Sequence, residues 1–233
     1  MLYAFDLHLH TFFSRDASAS PESMIAAAKE RGLSGIAITD HDTSDGVEYL
    51  RRKGFIREDG EAVNDFLIVP GVEVSTKDGH LLSLGTTLPH MKRRPAYEVV
   101  SAIHERGGLA VAPHPFDKFR AGIREEVLND LNLNAIETFN AAVSLKAFNK
   151  DASIYAKRRG LAGTAASDAH YASVVGVSST IYDLPTLSLP ALLQAIPSGG
   201  TLTESYLTFQ QGLEKSLGNW FPLFRSTPQK PHK

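Results

Sequence analysis

Two histidines stand one residue apart in "DLHLHT", His8 and His10, directly after an apolar start from Met1 to Phe5. Read as a short strand, that start carries both imidazoles off one face, because residues i and i+2 of an extended chain point the same way. The same spacing returns in "SDAHY", with Asp168 and His170. Between these pairs lie "TDHDT" with His41, "GVEVSTKDGH" with Glu73 and His80, and "VAPHPF" with His114. Asp16 follows the first pair in "HTFFSRDAS". Imidazole and carboxylate in this mixture are ligands for divalent ions and, beside a substrate, proton-transfer groups. Cysteine is absent, which excludes thiolate ligands, a thiol nucleophile and disulfides.

Strands and helices in alternation would position these residues. "GIAIT" (35–39) is too apolar to alternate and reads as a strand buried on both faces. Further strands are expected at 66–75 (bent near Pro70-Gly71), 80–85, 109–113, 135–139, 161–167 and 178–184. Helices are expected behind the Ser20-Pro21-Glu22 start signal up to Gly32, over 96–106, around 144–159 and from about Leu189. Residues 51–65 read as a charged surface loop. The alternation predicts a parallel sheet with crossover helices, open or closed into a barrel. Six of the nine histidines then fall at or beside a strand terminus, on the face where parallel α/β folds build their sites.

As core filling, this set would bury several charges without partners, and divalent cations supply those partners. His8, His10, Asp16, His41, Glu73, His80, His114, Asp168 and His170 make nine candidate ligands. One ion takes about four to six groups, so about two or three ions with bridging carboxylates are expected. Clustered ions suit phosphate-ester hydrolysis by an activated hydroxide. Imidazole and carboxylate serve manganese, iron and zinc alike.

The 233 residues are 42% hydrophobic and 21% charged, ordinary for a globular chain with a sizeable core. A net charge of −2 supports no bulk electrostatic grip on nucleic acid or an anionic membrane. No apolar stretch reaches membrane-spanning length and no targeting segment stands out, so a cytoplasmic protein is expected. One domain over 1–223 and a flexible tail over 224–233 are expected, with Phe209, Trp220, Phe221 and Phe224 serving packing.

In order and kind, the blocks "DLHLHTFFS", "SPESMIAAAKERGLSGIAITDHDT", "GVEVSTKDGHLLSLG", "VAPHPF", "IETFN" and "SDAHY" resemble the PHP (polymerase and histidinol phosphatase) family. The resemblance implies a distorted (βα)7, TIM-like barrel, a trinuclear metal centre and phosphoester hydrolysis, with Glu73, Asp168 and His170 in the catalytic machinery. By analogy one ion takes His8 and His10, with Glu73 and Asp168 as bridges. A second takes Glu73, His80 and His114, and a third Asp16, His41 and His170. Many members place the first aspartate where this chain has Arg15; Asp16 comes one residue later, a spacing that looks like another branch of the family.

Arg15, Lys118, Arg120 and Asn140 lie in loops or at a strand end on the expected metal face and are candidates for binding substrate phosphate. Asp40 is expected to orient a histidine, and Asp42 to cap a loop as readily as to act in catalysis. The expected activity is a phosphoesterase acting on small nucleotide- or sugar-phosphate-like molecules, with nucleic acid not a favoured partner. Histidinol phosphate and oligonucleotide ends stay open as substrates. An amidohydrolase-type enzyme would instead want a bridging lysine where this chain offers Glu73, and a non-catalytic metal-bound module would show a degraded ligand set.

Overall fold

The computed structural model describes residues 1–208, so the expected boundary at 223, the tail and the four C-terminal aromatics lie outside the described residues. The order is β1 (Leu2–Asp6), α1 (Pro21–Glu30), β2 (Gly35–Ile38), α2 (Asp45–Arg52), β3 (Leu67–Ser75), β4 (His80–Leu84) and α3 (Ala96–Glu105). Then come β5 (Leu109–Ala112), α4 (Glu125–Leu128), β6 (Ala135–Asn140), α5 (Lys146–Arg159) and β7 (Ala162–Ala166). β8 (Ser179–Asp183), α6 (Leu189–Ala195) and β9 (Thr201–Thr203) follow.

Local chemistry accounts for the helix ends. Ser20 accepts a hydrogen bond from the Ser23 N–H, Pro21 occupies the first turn, and Gly32 follows the helix at φ +74°. Such a cap contributes about 1 kcal/mol. α2 falls where no helix was expected and takes in the start of the charged stretch. Its signal is short: acidic Asp45 and Glu48 in the first turn, Arg51 and Arg52 in the last, and Val47 and Leu50 buried between them.

Among the described residues nine strands form one sheet in the order β7-β6-β5-β4-β3-β2-β1-β8-β9. The all-parallel expectation is corrected. β1, β2 and β3 run parallel, as do β5, β6 and β7, but β4 is antiparallel to both neighbours and β8 to β1 and β9. Residues 76–79 between β3 and β4 are too few for a crossover helix, so the chain must reverse. β3 itself serves two partners: 67–70 pair with β2 and 71–75 with β4. The switch lies at Pro70-Gly71, where a Cβ on Gly71 would stand 2.5 Å from the Ser83 carbonyl oxygen.

The sheet curls into a nearly closed, TIM-like barrel. Thr180 of β8 seals the seam to β7, its Oγ1 accepting from the Ala165 N–H at 2.8 Å and donating to the Ala165 carbonyl at 3.1 Å. Period-two alternation splits the core. Ala37, Leu67, Val69, Leu82, Leu84, Val111 and Ala135 form one cluster, closed by Leu192 and Ile196 from the α6 region. Ile36, Ile38 and Ile68 face the other way, against Met24, Ile25 and Ala28 of α1. Each such buried Val, Leu, Ile or Met side chain stabilises the fold by roughly 1.5–3 kcal/mol.

Candidate metal centre

The two i, i+2 pairs meet because the chain zips together beyond β1 and β7. Leu9 and Ala169 form a parallel bridge, the His10 N–H donates to the Ala169 carbonyl at 2.8 Å, and the Asp168 N–H donates to the His8 carbonyl at 2.9 Å. Residues 8–10 therefore lie against 168–170. A second bridge joins His41 to Glu73 where β2 ends beside the middle of β3.

Glu73 is the focus. Its Oε2 lies 3.2 Å from His8 Nε2, His10 Nε2 and His41 Nδ1. Its Oε1 lies 2.8 Å from His80 Nδ1 and 3.1 Å from His114 Nε2. Asp168 Oδ1 lies 3.4 Å from His10 Nε2 and 3.6 Å from His170 Nδ1. Asp16 Oδ2 lies 3.2 Å from His170 Nε2 and 3.6 Å from His41 Nε2. All nine candidate ligands from the sequence are thus brought together. His114 and Asp168 reach the cluster from left-handed backbone, φ 29° and 52°, a conformation costing a non-glycine residue about 1–3 kcal/mol.

Electrostatics follow from burial and proximity. Burial alone would raise Glu73, but His41, His80 and His8 beside it hold the carboxyl well below the usual range. Burial likewise opposes ionisation of Asp168, and Arg120 and His8 outweigh it. Both carboxylates are therefore anionic at neutral pH. The same carboxylates overcome the burial of His10 and hold its proton up to about 9, whereas burial pushes His41 down to about 4.

The donor set fits divalent ions. Among the described residues Asp16 Oδ1 and Asp168 Oδ1 are buried without a hydrogen-bond partner, and His8 Nε2 faces His10 Nε2 at 3.1 Å. Facing imidazole nitrogens beside orphaned carboxylate oxygens are an arrangement that a cation completes and a hydrogen-bonded core does not. Among the described residues four groups have ligand atoms within 4.8 Å of one another: His10–His41–His170, His8–His114–Asp168, His8–His10–Glu73 and His41–Glu73–His80. They overlap, so the division of ligands among ions expected from the resemblance is not what proximity alone would draw.

Around this cluster, Asp40 accepts from the Thr11 N–H, Thr11 Oγ1 and Ser14 Oγ, and that Ser14 hydroxyl lies 3.3 Å from His10 Nδ1. Asp42 accepts from the Ser75 N–H and from Lys92 Nζ, an anchor for its loop. The four candidate substrate residues separate. Arg120 and Asn140 lie within the cluster, each at Asp168 Oδ2, at 2.6 and 3.0 Å. Arg15 is exposed on the rim of a 520 Å³ cleft that reaches Asp16, His41 and His80. Lys118 is exposed on the loop after His114, and no contact joins it to the cluster among the described residues. Phe13, His90 and Lys92 also line the cleft. They lie in loops, and nothing in their spacing marked them. Glu137 lies in "IETFN", inside the strand expected at 135–139, and nothing local to it signals its contacts to His8 and to the His114 backbone.

Known proteins share this architecture. An uncharacterized protein of Methanocaldococcus jannaschii is 33% identical over 146 residues, 58% of this chain and 81% of that protein. The 5'-3' exoribonuclease Rnm of Salmonella typhimurium is 35% identical over 94 residues, 39% of this chain and only 30% of the exoribonuclease. Among solved structures, a two-domain Bacteroides vulgatus protein described as containing a predicted PHP-like metal-dependent phosphoesterase superposes with a TM-score of 0.72 at 15% identity. The match covers 93% of this chain and 69% of that one. Endonuclease Q bound to a 27-mer duplex with an abasic lesion superposes with a TM-score of 0.65 at 18% identity, covering 87% and 58%. Among the described residues no helix is long and apolar enough to cross a membrane. The PHP domain family model matches residues 6–182, and the chain therefore belongs to the PHP domain family of phosphoester hydrolases.

Proposed function

We propose that this chain hydrolyses phosphate esters at the barrel mouth with two or three divalent ions of the manganese, iron or zinc type, on a nucleotide- or sugar-phosphate-like substrate. One observation carries the proposal: a buried carboxylate, Glu73, presents its two oxygens to different histidine sets, with His8, His10 and His41 on one side and His80 and His114 on the other. That division suits a bridge between ions.

In this reading Asp168 is the second bridging candidate, His170 completes the catalytic set, and Asp16, His41 and His170 hold the outermost ion. The ions would supply charge neutralisation for the phosphoryl oxygens and a lowered pKa for a reacting water. The chain does the rest. Arg120 and Asn140 hold Asp168 Oδ2 and leave Oδ1 towards the histidines. Arg15 and Lys92 at the cleft rim offer charge-assisted hydrogen bonds to an anionic substrate. Lys118 would meet substrate only beyond the first contacts. A cleft of 520 Å³ has room for a nucleotide-sized group.

A second reading, cleavage at a nucleic-acid end, is favoured by the likeness to the exoribonuclease. One assay separates the readings: manganese-loaded protein with phosphomonoesters, phosphodiesters, histidinol phosphate, 5'-phosphorylated oligonucleotides and amide substrates. Turnover of small phosphoesters supports the first reading and preference for oligonucleotides the second. Turnover of amides alone, or of nothing at full metal load, overturns both.

A further inference from the structure

β6 contains a bulge. Its pairing with β7 runs from Glu137↔Thr164 to Phe139↔Ala165, which leaves Thr138 without an opposite residue. In a regular strand Glu137 and Asn140, three residues apart, would face opposite sides of the sheet. The bulge resets the alternation. Ile136 and Phe139 pack in outward clusters, while Glu137 and Asn140 both reach the ligand cluster, their side chains 2.8 Å apart. Gly163 on β7 makes room, since a Cβ there would stand 2.6 Å from Thr138 Oγ1.

We infer that Glu137 is a positioning residue that sets two metal ligands at once, His8 and His114, which face different oxygens of Glu73; this rests on the metal reading proposed above, in which those oxygens serve different ions. Glu137 Oε1 lies 3.1 Å from His8 Nδ1. Accepting that ring proton fixes the tautomer and leaves the His8 Nε2 lone pair for a cation. Glu137 Oε2 accepts from the His114 N–H at 2.6 Å. That bond holds the left-handed backbone from which His114 Nε2 approaches Glu73 at 3.1 Å. Asn140 extends the constraint. The Ala142 N–H donates to its Oδ1 at 2.8 Å, and its Nδ2 donates to both Glu137 Oε2 and Asp168 Oδ2.

Glu137→Gln tests the inference, because an amide offers one oxygen where the carboxylate offers two, and so cannot serve His8 and His114 together. Equilibrium dialysis against Mn²⁺ and the metal-free melting temperature are measured on wild type and variant. The expected result is a loss of about 10–100-fold in affinity, spread over two ions, with a melting temperature close to wild type. Should the Gln variant fail to fold, Glu137→Asp keeps the charge but shortens the reach, and the same loss is expected. Unchanged Mn²⁺ affinity overturns the inference, whether or not the melting temperature falls. So does a loss confined to one ion. A wild type that takes up no Mn²⁺ removes the metal reading and this inference with it.

Discussion

The candidate centre has two unlike halves. His8, His10, Asp168 and Glu137 are buried almost completely and held by a backbone bridge and by hydrogen bonds. Asp16 and His41 stand in loops at the cleft, with 45% and 22% of their side chains exposed. The contrast teaches a division of labour: the inner half is pre-organised by the barrel closure, and the outer half is where a substrate would meet the ions. A buried ligand with a fixed rotamer loses little freedom on binding a cation, whereas an exposed one must be ordered and stripped of water.

Stripping the protein with a chelator should abolish phosphoester hydrolysis and manganese should restore it, with elemental analysis run beside the assay. Activity surviving in metal-free protein would remove the basis for both halves. Glu73→Gln, which removes the charge shared between them, should lower the rate by about 10²-fold or more at saturating metal, with little effect on folding.

Asp16→Ala distinguishes the halves directly. It should release about one ion and lower turnover by about tenfold or more, because two neutral imidazoles hold a divalent ion poorly beside other cations. The inner ions should stay bound, so metal content measured on the same preparation decides whether Asp16 belongs to the centre. The Arg15→Ala, Lys92→Ala double variant should raise KM by about one decade or more, through the loss of two charge-assisted hydrogen bonds, with metal content unchanged. Smallest of all, Ser20→Ala should cost about 1 kcal/mol of stability in denaturant unfolding and leave turnover intact, since its hydroxyl serves only the start of α1.

The candidate ligands were more legible in the sequence than the architecture around them. An i, i+2 pair at a strand end is a local property, so His8 with His10 and Asp168 with His170 were readable from spacing alone. Arg120 and Asn140 were expected to contact substrate phosphate, yet in the structure both contact Asp168. Short α2 was missed because its apolar stripe amounts to little more than Val47 and Leu50 inside a charged stretch.

What the sequence by itself determined is the inventory: residues of ligand type, at strand ends, without cysteine, in an order that resembles one family. Tertiary structure decided strand direction, the closure by Thr180, the zipper that sets 8–10 against 168–170, and the bulge that turns Glu137 and Asn140 to one side. The reason is physical. Ligand type and i, i+2 spacing act within a few residues, but which edges pair, and with what register, depends on contacts between residues more than a hundred positions apart, such as Asp168 and His8.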